Sequence, residues 1–176
     1  MKFTETSLPG ACVVELEAVV DERGFFARTW CAEEFRLRGL NSNLAQCSLS
    51  SNARRGTLRG MHFQSEPYAE AKLISCCAGA VYDVVLDLRP ESPTYLRWFA
   101  AELTASNHKM LYVPTGCAHG FQTLVDASEV SSQISQAYRA ESARGVRWND
   151  PRFGIEWPLR DPILSPRDRG FADYLS

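Results

Sequence analysis

Residues 57–88 read TLRGMHFQSEPYAEAKLISCCAGAVYDVVLDL, and this stretch sets the expectation for the fold of the whole chain. It contains three apolar or alternating runs, at 57–64, 71–77 and 80–88, separated by residues that favour turns. Runs of this length that are rich in Val, Ile, Tyr and Phe are typical of β-strands. The stretch therefore predicts three strands joined by short connections.

In the third run the side chains divide between two faces. Asp83 and Asp87 share a face with Val81 and Val85, because successive residues of a strand point to opposite sides. Acidic groups on an otherwise apolar face predict a position at the mouth of a barrel rather than in a dry core.

Similar runs occur on both sides of this stretch. Further strands are predicted at 11–19, 24–31, 44–50, 95–103, 109–114, 118–125 and 129–138. Only 32–38 is predicted as a helix, ended by Gly39. Many short strands with little helix predict a mainly β fold, a sandwich or barrel, formed by residues 1–176 as a single domain. The tail after Trp157, rich in proline and arginine, is expected to wrap around the barrel.

Composition excludes several classes of protein. The net charge is −2 over 176 residues, so no basic field attracts nucleic acid or an anionic membrane. No long apolar stretch and no apolar leader is present, and none of the six cysteines forms a C-x-x-C pair. We therefore expect a cytoplasmic protein with reduced cysteines, no membrane partner and no nucleic-acid partner.

The chain has three histidines, which can each be weighed as candidates for chemistry. His62 lies in a strand-like run where a structural histidine is the default interpretation. Strict alternation would place Arg59 and His62 on opposite faces, but Gly60 could seat a bulge that brings both to one site. His119 opens a strand after a turn, so a hydrogen-bonded turn residue and a functional residue are both open. His108 lies in a polar turn and is expected to be exposed.

Two charged residues have a structural and a functional interpretation. Lys72 interrupts an apolar strand, either as an edge-strand lysine that opposes aggregation or as a lysine aimed into the barrel to stabilise an anion. Asp168 would ordinarily be a surface turn residue.

In their order and spacing, several segments resemble the dTDP-4-dehydrorhamnose 3,5-epimerase family over almost the whole chain. These segments are Pro9-Gly10, 21–26 (DERGFF), 56–64 (GTLRGMHFQ), Lys72-Leu73, 81–89 (VYDVVLDLR) with 92–94 (SPT), 113–121 (VPTGCAHGF), 145–151 (GVRWNDP), and 163–165 (ILS) before Asp168. The resemblance implies a cupin-type antiparallel β-barrel, or jelly roll, in a homodimer that exchanges N-terminal strands. It also implies an isomerase that uses no metal and no organic cofactor.

The implied substrate is a 4-keto-6-deoxyhexose attached to a nucleoside diphosphate, most simply a dTDP-linked one, as used in surface-polysaccharide or antibiotic sugar synthesis. The ketone acidifies the protons at C3 and C5. A base removes one of them, an enolate forms, and a proton returns from the other face. An imidazole can accept a proton at neutral pH, which suits this step.

The resemblance assigns roles residue by residue. His62 would be the base, Asp168 would orient it, and Lys72 would stabilise the enolate oxygen. The substrate-binding set would be Arg23 and Arg59 on the diphosphate, Phe26 on the base or sugar, Gln46 on the nucleotide, and His119 and Arg167 along the ligand site. Four further residues complete the predicted substrate-binding set: Arg28, Ser48, Ser132 and Tyr138.

Metal-binding cupins use two histidines one residue apart. Here the residue two after His62 is Gln64, and an amide in place of an imidazole opposes a transition-metal site. We therefore expect no metal.

The chain departs from the family pattern on the acid side of the site. Ser132 stands where the family has the tyrosine usually assigned as the proton donor. A serine hydroxyl is shorter and less acidic, although a water could fill the space. Tyr138 shares the strand parity of Ser132 but corresponds to a separate tyrosine of the family. The donor therefore stays open among Ser132, Tyr138 and water.

The binding side also differs. Arg28 replaces a glutamate, Gln133 replaces a lysine, Ala143 replaces a glutamate, and Gln-Asp-Asn-His becomes Gln46-Cys47-Ser48-Leu49. These changes leave three alternatives beside the double epimerase: an epimerase of one centre, a cupin ketoisomerase on another sugar nucleotide, and a non-catalytic sugar-nucleotide binding protein. Retention of His62, Lys72 and Asp168 weighs against the last.

Overall fold

A computed structural model describes residues 1–174. The strands in chain order are β1 (Lys2–Glu5), β2 (Cys12–Glu15), β3 (Val19–Asp21), β4 (Gly24–Phe26), β5 (Gln46–Asn52), β6 (Leu58–Gln64), β7 (Lys72–Ala78), β8 (Ala80–Asp87), β9 (Trp98–Thr104), β10 (Met110–Val113), β11 (Cys117–Thr123), β12 (Ser128–Ile134) and β13 (Ala143–Gly145). The helices are α1 (Ala32–Arg36) and α2 (Pro166–Arg169). The predicted mainly β class is confirmed.

The strands form two large antiparallel sheets. The first has the order β1-β2-β10-β7-β12-β5, and the second has the order β13-β6-β11-β8-β9. The main core lies between them, because fully buried residues of both sheets pack in one cluster, among them Ile74, Val85, Leu103, Leu111 and Phe121. A separate two-stranded hairpin, β3–β4, stands outside both sheets.

The outer faces of the sheets are covered as well. Phe35 of α1 packs with Leu73 and Tyr112 on the outside of the first sheet. The chain after β13 covers the outside of the second sheet, where Phe153 packs in one cluster with Met61. Burial on both faces explains why the strands read as nearly continuous apolar runs.

The tail after Trp157 packs along the second sheet of the barrel, as predicted, and hydrogen bonds hold it there. Gln122 donates from Nε2 to the carbonyl of Leu159 and accepts from the amide of Leu159, both at 2.9 Å. Leu58 donates its amide to the carbonyl of Ile163 at 2.9 Å. These bonds carry the chain toward α2.

The expectation that Asp83 and Asp87 lie at a barrel mouth is wrong. Both residues are wholly buried. A buried carboxylate is tolerated when other groups donate hydrogen bonds to it. The Asp87 carboxylate accepts hydrogen bonds from Arg89, Ser92 and Thr94, so this side of β8 can face the protein interior without contact with water.

Several boundaries also differ from the prediction. The predicted runs 11–19 and 24–31 are cut short at Glu15 and Phe26. The run 95–103 begins only at Trp98, because the turn after Asp87 continues to Arg97. The short strands β1, β3 and β13 lie outside the predicted runs, apart from Val19, because three or four residues are too few to show an alternating pattern. Neither α1 nor α2 has the length and apolar character needed to cross a lipid bilayer.

Candidate active site

A cavity of about 290 Å³ opens beside the inner faces of β5, β6, β7 and β12. Nine of the residues predicted for the site line it: Gln46, Ser48, Arg59, His62, Lys72, His119, Ser132, Tyr138 and Arg167. A larger cavity of about 520 Å³ lies beside β1 and contains no histidine or lysine. We place the site in the smaller cavity because the groups suited to acid–base chemistry converge there.

His62 and Asp168 form a close pair at this cavity. The imidazole Nε2 lies 2.6 Å from Asp168 Oδ1. Asp168 is buried in α2, where its amide donates to the Ser165 hydroxyl that caps the helix. Burial raises the pKa of the Asp168 carboxyl, but hydrogen bonds from His62, Ser165 and the Gly60 backbone outweigh burial and hold that pKa below its usual value. The carboxyl is therefore ionised at neutral pH, so Nε2 carries the proton and Nδ1 is free to accept one.

An aromatic ring fixes the other side of this imidazole. The Phe171 and His62 ring centroids are 6.0 Å apart in an edge-on arrangement. Phe171 lies directly over Gly145, where a Cβ would overlap the phenyl ring. Gly145 is the cross-strand partner of His62, so the missing side chain makes room for the ring beside the base.

The predicted bulge at Gly60 is present. His119 of β11 pairs with His62, and Phe121 of β11 pairs with Arg59. Four residues of β6, from Arg59 to His62, therefore lie opposite three residues of β11, from His119 to Phe121. Gly60 has φ of 143°, and a Cβ on it would lie 2.5 Å from Gly120 Cα. Only glycine fits there, and the extra residue brings Arg59 and His62 to the same cavity.

A second imidazole–carboxylate pair contributes His119 to the cavity lining, and Asp83 lies behind it. His119 Nε2 is 2.8 Å from Asp83 Oδ1, and both residues are buried. Burial raises the pKa of Asp83, and His119 and Lys72 only partly offset this effect. The second carboxyl oxygen of Asp83 has no hydrogen-bond partner among the described residues.

Lys72 is not an edge-strand lysine. It begins β7, which lies between β10 and β12, and only 9% of the residue is exposed. Its ammonium binds Glu70 Oε1 at 2.9 Å and lies 3.4 Å from the backbone carbonyl oxygen of His62. The structure therefore places Lys72 in the barrel, as the functional interpretation requires.

Arginines give the cavity a positive character. Arg59 donates from Nε to Asn52 Oδ1 at 2.8 Å, and this bond leaves the end of the guanidinium for a ligand. Arg167 lines the same cavity from α2, with its guanidinium carbon 5.9 Å from the centre of the Phe171 ring. Two guanidinium groups at one cavity suit a ligand that carries phosphate.

Three residues of the predicted substrate-binding set do not reach this cavity within one subunit. Arg23, Phe26 and Arg28 lie in or next to the β3–β4 hairpin, away from the two large sheets. The Arg23 side chain is 84% exposed and paired with Asp21, and Phe26 is 79% exposed. Arg28 binds Glu34 at 3.3 Å. Within one subunit the hairpin projects away from the cavity, so the binding of substrate by these three residues stays a prediction.

The wall formed by β5 and β12 is made of small polar side chains. Ser132 pairs with Ser48 across the two strands, and Ser50 lines the cavity beside them. Tyr138 lies at the rim, 56% exposed, and its amide donates to Gln46 Oε1 at 2.9 Å. Space that a large side chain would fill at position 132 is thus open to ligand.

The structure adds residues that the sequence did not single out: Ser50, Glu70, Arg144 and Phe171. Glu70 had only a signal of proximity, since it lies two residues before Lys72, just ahead of β7. The contact between Phe171 and His62 had none, because it depends on how the tail folds back.

The donor set does not suit a metal ion. Among residues 1–174 no group of three or more His, Cys, Asp or Glu side chains is arranged to hold one. Gln64 cannot replace an imidazole, because its amide nitrogen donates to the carbonyls of Tyr68 and Ala137 and its oxygen accepts from Arg139.

A sequence profile of the dTDP-4-dehydrorhamnose 3,5-epimerases matches residues 5–174. The chain belongs to the dTDP-4-dehydrorhamnose 3,5-epimerase family. It is 40% identical over 169 residues to the dTDP-4-dehydrorhamnose 3,5-epimerase of Sinorhizobium fredii, covering 96% of this chain and 87% of the relative. The cupin-type barrel expected for this family is confirmed.

Two solved structures are similar over nearly the whole chain. The enzyme of the same name from Bacillus anthracis, with TDP and PPi bound, has a TM-score of 0.94 and 40% identity, covering 98% of this chain and 99% of that one. A 3′-monoepimerase from Streptomyces bikiniensis, in complex with dTDP-quinovose, has a TM-score of 0.88 and 32% identity, covering 96% and 85%. A protein described as a monoepimerase therefore shares this fold.

Proposed function

We propose that this protein epimerises a 4-keto-6-deoxyhexose carried on dTDP, by removing a proton next to the ketone. The observation that carries this proposal is the 2.6 Å pair of His62 and Asp168 at the same cavity as Lys72. A base oriented by a carboxylate, next to a cation that faces developing negative charge, is the arrangement that enolate chemistry needs.

His62 acts through Nδ1, because Nε2 is engaged by Asp168. The electrons of the broken C–H bond form the enolate double bond, and the charge moves to the former ketone oxygen. Asp168 stabilises the imidazolium that results. A proton then returns to the other face of the same carbon, which inverts that centre.

Lys72 stabilises the enolate oxygen. A charged group in a site with little water interacts strongly with a developing oxyanion, because few water dipoles screen it. Only 9% of Lys72 is exposed, which fits this role.

Arg59 and Arg167 bind the diphosphate, and Gln46, Ser48 and Tyr138 contact the nucleotide and sugar; that all five line the same cavity supports this assignment. We infer a homodimer in which Arg23 and Phe26 of the partner subunit complete the site. The hairpin supports this inference, since Val19, Val20 and Phe26 are each more than 70% exposed and an apolar surface of this kind usually meets another protein surface.

The part of the site that should return the proton supports a second candidate, an epimerase that inverts one centre. Ser132 offers no acidic group on the wall formed by β5 and β12. A water held between Ser132 and Ser48 could deliver the proton to one carbon. We further infer that the protein works in the cytoplasm, which fits its six free cysteines.

The test is an NMR time course of dTDP-4-keto-6-deoxyglucose with this protein in deuterated water. Deuterium at both C3 and C5 identifies a double epimerase, and deuterium at one carbon identifies the single-centre enzyme. His62→Asn should abolish the exchange, whereas His108→Asn, a change at an exposed turn histidine, should not. Absence of exchange with wild-type protein that still binds dTDP would contradict the proposal and favour a binding protein.

A further inference from the structure

Glu70 lies in the wall of the active-site cavity, between β6 and β7, and the mechanism above gives it no part. Its side chain is 9% exposed, and its Oε1 atom lies 2.9 Å from the Lys72 ammonium, which is 10% exposed. An ion pair this far from water is expensive to form unless its geometry is favourable. Its position at the site calls for a role in the reaction.

The donors of Lys72 can be counted. A lysine ammonium has three N–H groups. Glu70 Oε1 takes one, and the backbone carbonyl oxygen of His62, 3.4 Å away, lies in the direction of a second. The third is left for an oxygen atom in the cavity. These two acceptors therefore set the direction in which Lys72 presents its charge.

Two other carboxylates lie near the cavity. Asp168 is engaged by His62. Asp83 is engaged by His119 through Oδ1 and does not pair with Lys72, although its Oδ2 has no partner among the described residues. Among residues 1–174, Glu70 is the carboxylate that pairs with Lys72. Without it, a flexible four-carbon side chain would hold a nearly buried charge with only a backbone carbonyl to orient it.

We propose that Glu70 is a positioning residue, which holds the Lys72 ammonium toward the ketone oxygen of the substrate so that the developing enolate charge meets an oriented cation. This inference rests on the proposed function. Glu70 acts through Lys72 and does not itself contact the reacting carbon. The hydrogen bond from Lys72 to the substrate strengthens as charge moves to the oxygen, so loss of orientation lowers kcat more than it raises KM.

The experiment is a double-mutant cycle with Glu70→Gln and Lys72→Met, measured as the rate of deuterium incorporation into substrate. Glu70→Gln should lower kcat about 10- to 100-fold, as expected when an oxyanion-stabilising group loses its orientation, with little change in KM. In the Lys72→Met background the same change should have little further effect. The matched control, Glu102→Gln, alters an exposed carboxylate on β9 and should leave kcat unchanged.

Two kinetic results would overturn the inference. One is a Glu70→Gln variant with the kcat of wild-type protein. The other is a loss of kcat on Glu70→Gln that is equally large in the wild-type and the Lys72→Met backgrounds, which would mean a structural role for Glu70.

A second measurement needs no turnover, and so separates this inference from the proposed function. In ¹⁵N-edited NMR of the protein without substrate, a lysine ammonium bound to a carboxylate and shielded from water exchanges its protons slowly. The Lys72 signal, assigned by its loss in Lys72→Met, should disappear in Glu70→Gln and persist in Glu102→Gln. Its persistence in Glu70→Gln would refute the pairing, even if wild-type protein turned over no substrate.

Discussion

His62 and His119 are direct partners across β6 and β11, yet a carboxylate from a different part of the chain holds each of them. Asp83, on the neighbouring strand β8, holds His119 inside the barrel. Asp168, 106 residues away in sequence, holds His62 from the tail. The two imidazoles are therefore independent: one belongs to the barrel, and the other depends on the segment that covers it.

The first prediction concerns Asp168. Replacement by Asn removes the charge that fixes the His62 tautomer and stabilises the imidazolium, so kcat should fall about 100-fold or more, within the range expected for general base catalysis. Deuterium exchange into substrate measures the effect. Asp161→Asn, a change at an exposed carboxylate of the same tail, is the matched control. Equal rates in the two variants would contradict the role given to Asp168.

The second prediction concerns Gly145. A methyl group at this position overlaps the Phe171 ring, so Gly145→Ala should displace the ring from His62 and destabilise the protein by about 1–3 kcal/mol, as overpacking does. Thermal unfolding and kcat should both report the change. Phe171→Leu added to Gly145→Ala should restore part of the stability. If the double variant were no more stable than Gly145→Ala, the overlap would not be the cause.

The third prediction concerns acid stability. Burial raises the pKa of Asp87, but hydrogen bonds from Arg89, Ser92 and Thr94 outweigh burial and hold the pKa well below its usual value. A depressed carboxyl pKa stabilises the folded state above the unfolded value of about 4, and this stabilisation is lost as the pH falls toward the folded value.

Asp87→Asn should therefore lower the free energy of unfolding at pH 7 by about 3 kcal/mol, because Arg89 loses its buried partner. The difference between variant and wild type should shrink as the pH is lowered to 3. Urea unfolding at several pH values measures both effects. A difference that stays constant with pH would rule out the carboxylate as its source.

The fourth prediction concerns the group that returns the proton to the substrate. Ser132→Tyr places a phenol on the wall formed by β5 and β12, opposite Ser48. If the native protein exchanges deuterium at one carbon, this variant should gain exchange at the second, since a phenol is a better proton donor than a serine hydroxyl. Ser132→Phe supplies the same ring without the hydroxyl and should not gain it. Equal behaviour of the two variants would mean that ring volume, and not acidity, matters.

The fifth prediction concerns assembly. If the partner subunit's Arg23 completes each site, Arg23→Ala and His62→Asn proteins should each be inactive alone. Mixed dimers of the two contain one site with both native residues and should regain part of the activity. Analytical ultracentrifugation should show a dimer for both variants. A mixture without activity, despite mixed dimers, would place Arg23 outside the partner's site.

The sequence predicted most of the strands, because both faces of the large sheets are buried and produce long apolar runs. It also predicted the bulge at Gly60, since a glycine between two candidate site residues offers the needed backbone freedom. The role of the hairpin that carries Arg23 and Phe26 stays a prediction, because the position of this hairpin relative to a site depends on assembly and not on local pattern. The sequence missed the contact of Phe171 with His62, which arises from packing between segments distant in sequence.

The pair of His62 and Asp168 joins a strand in the middle of the chain to a helix that follows the last strand. β13 ends at Gly145, whereas Asp168 is added later in synthesis. On the ribosome, every strand of both sheets is therefore made before the carboxylate that orients the base. A chain that had formed both sheets without docking its tail would lack the carboxylate that orients the base, so the onset of proton exchange would mark the docking of the tail.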